Sequence, residues 1–146
     1  MKKFFLLFPV FLLVSIGSIF AQVSFRDYVN GSTDKSIADD YYDNVIDLLE
    51  RVNNLLNSAG IYSVTLSAAG RTATRSGGVS YDGLHNCGRA IDIVDRDGRI
   101  YRTIEPLIQR SGLRLEHRDS TPGWVHLDIG REGVSNDVRG GRVFRP

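Results

Sequence analysis

The 146 residues contain one cysteine, Cys87. An internal disulfide is impossible, so burial of apolar side chains, helped by metal where ligands allow it, must hold the fold together. This constraint is severe because the chain reads as exported. Lys2-Lys3 is followed by an apolar stretch from Phe4 to Val14, then by Ser15-Ile16-Gly17-Ser18 before Ala21-Gln22. That order describes a secretory signal peptide over residues 1–21, with the mature chain starting near Gln22. The stretch is short and N-terminal for a membrane span, so no span is expected after cleavage. No cysteine stands at the expected cut to carry a lipid.

Taking Lys2 and Lys3 from the 18 Lys and Arg, against 17 Asp and Glu, leaves the remainder close to neutral. Such a balance gives no footprint for nucleic acid. About 125 residues suffice for one core but not two, and a monomer is expected. The chain therefore divides into a signal peptide (1–21), a polar arm (22–35) and a single domain (36–146).

Residues 22–35 are rich in Ser, Asn, Asp and Gly without a sustained period, and read as a tether or loosely docked arm. From Ser36, Ile37, Tyr41, Val45, Leu48, Leu49, Val52, Leu55 and Leu56 recur at spacings of three and four, the stripe of one amphipathic helix that Gly60 ends. Ile61 to Ser67 alternates like a half-buried strand. Residues 68 to 83 form a long Gly-rich loop carrying Arg71 and Arg75. Ala90 to Val94 reads as a strand, Asp95-Arg96-Asp97-Gly98 as a hairpin-type turn, and Thr103 to Arg110 as a short helix ended by Gly112. Leu113 to Leu115 and Trp124 to Ile129 read as further strands, and Arg139 to Pro146 as a closing turn with a short final strand. The expected class is α+β, a small antiparallel sheet with helices packed on one side.

Within this frame His85, Gly88, Ala90 and Asp92 form H-x-x-G-x-A-x-D, and Trp124-Val125-His126-Leu127-Asp128 follows downstream. Two imidazoles and a carboxylate are the parts of an open zinc site, which keeps a position for water, whereas a closed structural site is usually rich in thiolate. Gly88 can supply a tight turn and Ala90 a thin wall, so that both ends of the segment face one ion. In a strand, Trp124, His126 and Asp128 share one face while Val125, Leu127 and Ile129 share the apolar one. A domain without metal would leave the three side chains apart.

The two-part pattern resembles the zinc D,D-peptidases: D-alanyl-D-alanine carboxypeptidases, vancomycin-resistance D-alanyl-D-alanine dipeptidases, and phage endolysins that cut L-alanyl-D-glutamate bonds. The metal-binding domain of Hedgehog proteins looks similar in fold and ligands. The resemblance runs from about Leu66 to the C-terminus. It implies one Zn2+ held by His85, Asp92 and His126, and an arginine, Arg71 in Ser67-Ala68-Ala69-Gly70-Arg71-Thr72, that stabilises charge on the scissile carbonyl, with Arg75 as its substitute. It also implies a general base upstream of the last histidine. Leu113-Arg114-Leu115-Glu116 looks like the strand that carries it, which makes Glu116 the choice, with Asp119 and Asp128 as alternatives. Asp128 is better suited to orienting a ligand, since carboxylates commonly support metal-bound histidine. Trp124 would pack under the site or line a peptide groove. His117 would face away from the metal, and Cys87 reads as a small, buried or half-buried thiol.

The chain departs from the family pattern twice. Gly83 stands where a serine commonly precedes the first histidine, and Gly123 stands where many members carry the acid. Glu116 therefore reaches the site only if its strand lies beside Trp124 to Ile129. The resemblance implies zinc-assisted hydrolysis of a peptidoglycan peptide outside the cytoplasm. The rival reading is a zinc-containing domain that binds a wall peptide or a protein partner without cutting it, and the base separates the two.

Overall fold

A computed structural model describes residues 22–71, 75–76, 79–80, 83–131 and 141–145. The proposed signal peptide and most of the loop from 72 to 83 lie outside the described residues. No described helix is long and apolar enough to cross a membrane.

The elements are α1 (Phe25–Gly31), α2 (Ser36–Asp40), α3 (Tyr42–Ser58), β1 (Leu66–Ala68), β2 (Arg75–Ser76), β3 (Val79–Ser80), β4 (Ala90–Asp95), α4 (Arg99–Ile104), β5 (Arg114–Glu116), β6 (Gly123–Asp128) and β7 (Arg142–Phe144). Short 3-10 helices span Leu84–Cys87 and Glu105–Arg110. The fold is α+β. Its main sheet runs β1-β4-β6-β5-β7, and β2 and β3 form a separate hairpin. The sheet is mixed, not antiparallel throughout, because β7 joins β5 in parallel.

α3 forms where the apolar stripe demands it: Val45, Leu48, Leu49, Val52, Leu55 and Leu56 are all buried. They share one core with Ile91 and Ile93 of β4, Leu115 of β5, and Val125 and Leu127 of β6. The expected single helix from Ser36 is broken at Tyr41, whose backbone (φ −124, ψ 37) is not helical. Gly88 explains why this break matters. A Cβ there would lie 2.8 Å from Val45 Cγ2 and 3.2 Å from the Tyr41 carbonyl oxygen, so the metal-motif turn and this junction touch backbone to backbone.

Residues 22–35 are not a tether. Ser24 and Asp27 form a capping box that starts α1, with the Asp27 backbone N–H donating to Ser24 Oγ and the Ser24 N–H donating to the Asp27 carboxylate. Val23 and Tyr28 enter the core at 1% and 0% exposure. Asn53 of α3 clamps Val23 through both of its backbone groups, each at 2.9 Å. The strand expected over Ile61–Ser67 shrinks to β1. Val94 N–H reaches the Thr65 carbonyl at 2.8 Å, but Tyr62 is 78% exposed. Asp95 to Gly98 is not a hairpin turn. The Asp95 carboxylate accepts from the N–H groups of Ile100 and Tyr101, so the turn feeds α4 directly. The helix expected at Thr103 thus starts earlier, at Arg99, and tightens to 3-10 form at Glu105.

Candidate metal centre

β4 and β6 pair antiparallel with Asp92 opposite His126. Because side chains alternate, burying Ile91, Ile93, Val125 and Leu127 in the core sends Asp92 and His126 to the other face together. His85 arrives from the 3-10 turn Leu84–Cys87, which Gly88 ends in the left-handed region (φ 69), its N–H closing on the Leu84 carbonyl. A residue with a Cβ would be strained in that conformation. Asn44 of α3 fixes the same turn by donating to the Cys87 carbonyl at 2.9 Å.

The result is one cluster. The ligand atoms of His85, Asp92 and His126 all lie within 4.8 Å of one another, and the group can hold a metal ion. Asp92 Oδ1 is 2.7 Å from His126 Nδ1 and 3.4 Å from His85 Nε2. The two imidazole rings are tilted, with centroids 5.2 Å apart.

The donor chemistry fits a cation. His85 Nδ1 lies 2.6 Å from the Ala69 carbonyl oxygen, which can only accept, so Nδ1 carries the hydrogen. Nε2 is then the nitrogen turned to the site, buried, 3.4 Å from Asp92 Oδ1 and without a closer polar partner among the described residues. A ring nitrogen and a carboxylate oxygen held this close in a buried site are balanced by a positive charge between them, which a proton or a metal ion could supply. His126 has a carboxylate at each end, Asp92 at Nδ1 and Asp128 at Nε2, the latter at 3.3 Å. Burial disfavours its imidazolium, but hydrogen bonds with Asp128 and Asp92 outweigh that and push its pKa up to about 9. Burial likewise works against the Asp92 carboxylate, yet hydrogen bonds with His126 and His85 hold it well below the usual range. The two shifts are halves of one arrangement, an ionised Asp92 paired with a charged His126, whose donor atoms a metal cation could take over in place of the shared proton.

Glu116 meets the condition set for it. β5 pairs antiparallel with β6, Arg114 opposite Asp128 and Leu115 opposite Leu127. Leu115 is buried in the core, so Arg114 and Glu116 flank it on the face that carries His126 and Asp92. Glu116 is half-buried. Burial raises its pKa above the ordinary carboxylate value, His126 and His85 pull it down, and Asp92 and Asp128 push it up.

The other expected residues fall around this centre or away from it. Asp128 is fully buried and held by Arg114 at 2.6 and 3.1 Å, so it supports His126 rather than offering a mobile base. Asp119 is exposed and paired with Arg145 at 3.0 Å. His117 also faces Arg145 and lies edge-on to Tyr101, outside the metal cluster. Trp124 is half-buried on the β6 face shared with His126. Arg71 is exposed and begins where the His85 turn is anchored, its N–H donating to the His85 carbonyl at 3.4 Å. Arg75 lies in β2, and the position of its side chain is outside the described residues. Cys87 is half-buried, its thiol donating to the Leu84 carbonyl at 3.5 Å.

Arg114 was not anticipated as part of this face. The period-two pattern that selects Glu116 also places Arg114 opposite Asp128, and that was the available signal. Set against known proteins, the chain matches no family model, no curated protein and no solved structure.

Proposed function

We propose that the protein is an exported, monomeric zinc metallopeptidase that hydrolyses a peptide bond in peptidoglycan, of the D,D-carboxypeptidase or endopeptidase type. The observation that carries the reading is the convergence of His85, Asp92 and His126 on one sheet face with Glu116 on the neighbouring strand. Two imidazoles and a carboxylate suit zinc, and three protein ligands leave room for water. Zinc held there would lower the pKa of water from ~15.7 toward ~7.

The chain's own residues account for the remaining work. Ala69 holds His85 Nδ1 and Asp128 holds His126 Nε2, so His85 Nε2 and His126 Nδ1 are the nitrogens that would bind the ion. Glu116, with its pKa raised by burial, is suited to take a proton from the attacking water and deliver it to the leaving amine. Arg71 at the rim would face the charge that develops on the carbonyl oxygen. Trp124 offers an apolar wall for the peptide.

The reading is tested on one preparation of the mature domain, purified without chelator and incubated with peptidoglycan fragments. One zinc per chain, with a new fragment mass that disappears on chelation, is the expected result, and the mass names the bond cut. One zinc with no product from any fragment would shift the assignment to a binding domain. Iron in place of zinc, or no metal, would overturn the metallopeptidase reading.

A further inference from the structure

The proposed chemistry gives Arg114 no part, yet this residue is 8% exposed and its guanidinium sits beside a fully buried carboxylate. The geometry points to Arg114, steadied by the ring of Phe144, as a positioning residue that fixes which nitrogen of His126 faces the metal. The inference rests on the proposed metal site and extends it to the edge strand β7.

Arg114 Nε donates to Asp128 Oδ1 at 2.6 Å and Nη2 donates to Oδ2 at 3.1 Å, a planar fork that leaves the carboxylate one orientation. The Gly130 N–H adds a bond to Oδ1 at 2.8 Å. So held, Oδ2 stands 3.3 Å from His126 Nε2. A carboxylate only accepts, so Asp128 holds a hydrogen on Nε2, and Nδ1, which shares its own hydrogen with Asp92 Oδ1 at 2.7 Å, is the nitrogen that would give its lone pair to a cation taking that hydrogen's place. If Asp128 could turn, the ring could turn with it, and the lone pair would no longer be aimed at the site.

Phe144 stands over the fork. Its ring centroid is 4.6 Å from the guanidinium carbon, a cation–π contact in a place where competing water is scarce. The ring comes from β7, which pairs in parallel with β5 so that Glu116 is level with Phe144. The His117 N–H, donating to the Phe144 carbonyl at 2.7 Å, closes the ladder. A strand that supplies no ligand would thereby act on the metal site, through Arg114 and Asp128 and through the edge of the Phe144 ring itself, whose centroid is 6.4 Å from that of His126. Lysine could balance the charge of Asp128 but could not fix both oxygens at once.

Zinc affinity, measured by chelator competition on the full domain, tests this alongside the metal-free melting temperature of each variant. Arg114→Met and Asp128→Asn are each expected to weaken zinc about 10–100-fold, the usual effect of losing a partner of a metal-bound histidine. Because Arg114 acts through Asp128, the double variant should bind within about twofold of Asp128→Asn alone. Arg114→Lys should recover only part of the loss. Phe144→Leu, which keeps Arg114 and its charge, should weaken zinc less while melting metal-free close to wild type, and it carries the test if Arg114→Met does not fold. Wild-type affinity in Arg114→Met or in Phe144→Leu would overturn the inference and leave the metal site standing, as would losses that multiply in the double variant. A wild-type domain that binds no zinc would overturn both.

Discussion

Asp92→Asn isolates the charge at the centre of the site while keeping the shape of the side chain. Asp92 is 7% exposed and its Oδ1 is the atom nearest both imidazoles, 2.7 Å from His126 Nδ1 and 3.4 Å from His85 Nε2. The amide keeps the size but gives up the anionic ligand. A ligand that binds only the folded state stabilises it by RT ln(1 + [L]/Kd), about 2.7 kcal/mol when free zinc is 100 times Kd. If the amide weakens binding about 100-fold, the same free zinc equals the new Kd and the gain falls to about 0.4 kcal/mol. For a domain of this size each kcal/mol moves the melting temperature by about 4 °C, so zinc should raise wild type by ~10 °C and the variant by ~2 °C. The assay is thermal unfolding followed by circular dichroism in zinc buffered by a weak chelator. Each protein is compared with itself, metal-loaded against metal-free, so the intrinsic cost of the substitution cancels. Equal zinc-induced rises in the two proteins would refute the assignment of Asp92, and no rise in either would refute the site.

Glu116→Gln should leave the zinc-induced rise intact and slow hydrolysis about 10²–10⁴-fold, the usual contribution of a general acid–base group. Steady-state cleavage of the fragment identified by mass checks this, and full turnover would remove Glu116 as the base. Tyr28 is fully buried and its hydroxyl has no hydrogen-bond partner among the described residues. Tyr28→Phe removes a polar group that is desolvated without compensation and should stabilise the domain by about 1 kcal/mol. Urea unfolding reads the change as a higher midpoint at an unchanged slope.

Wherever one periodicity decided the outcome, the fold was legible from residues. The stripe from Val45 to Leu56 could only be a helix with one buried face, and the alternation in Trp124 to Ile129 put His126 and Leu127 on opposite sides of a sheet. The same alternation in β4 brought Asp92 across from His126, so the three residues that the resemblance implied as ligands meet in a group that could hold a metal ion. What escaped depended on partners distant in sequence. α1 has few apolar residues, so its period is weak, and its burial is decided by the clamp between Asn53 and Val23. The direction of β7 is not encoded in its own three residues but in the β5 edge that receives it. Ile61 to Thr65 alternates, but beyond the one bond from Val94 N–H to the Thr65 carbonyl the ladder with β4 begins only at Leu66, so the pattern alone did not make a strand. Arg114 was overlooked because a basic residue between leucines reads as a solvated position until Asp128 is set opposite it.

The spacing of the cluster also determines when it can exist. Asp92 and His126 are 34 residues apart in sequence, and only the β4–β6 ladder brings them together. In the unfolded chain, closing a loop of that length around an ion costs about 4 kcal/mol of entropy by the same relation that describes cross-links. That is about a thousandfold in affinity. A nascent or denatured chain is therefore a poor competitor for trace metal, and loading must follow folding. The ion that such a centre would acquire would be set by the metals present in the compartment where the sheet closes. Intrinsic preference among divalent ions, which for such donors rises toward copper, counts for less.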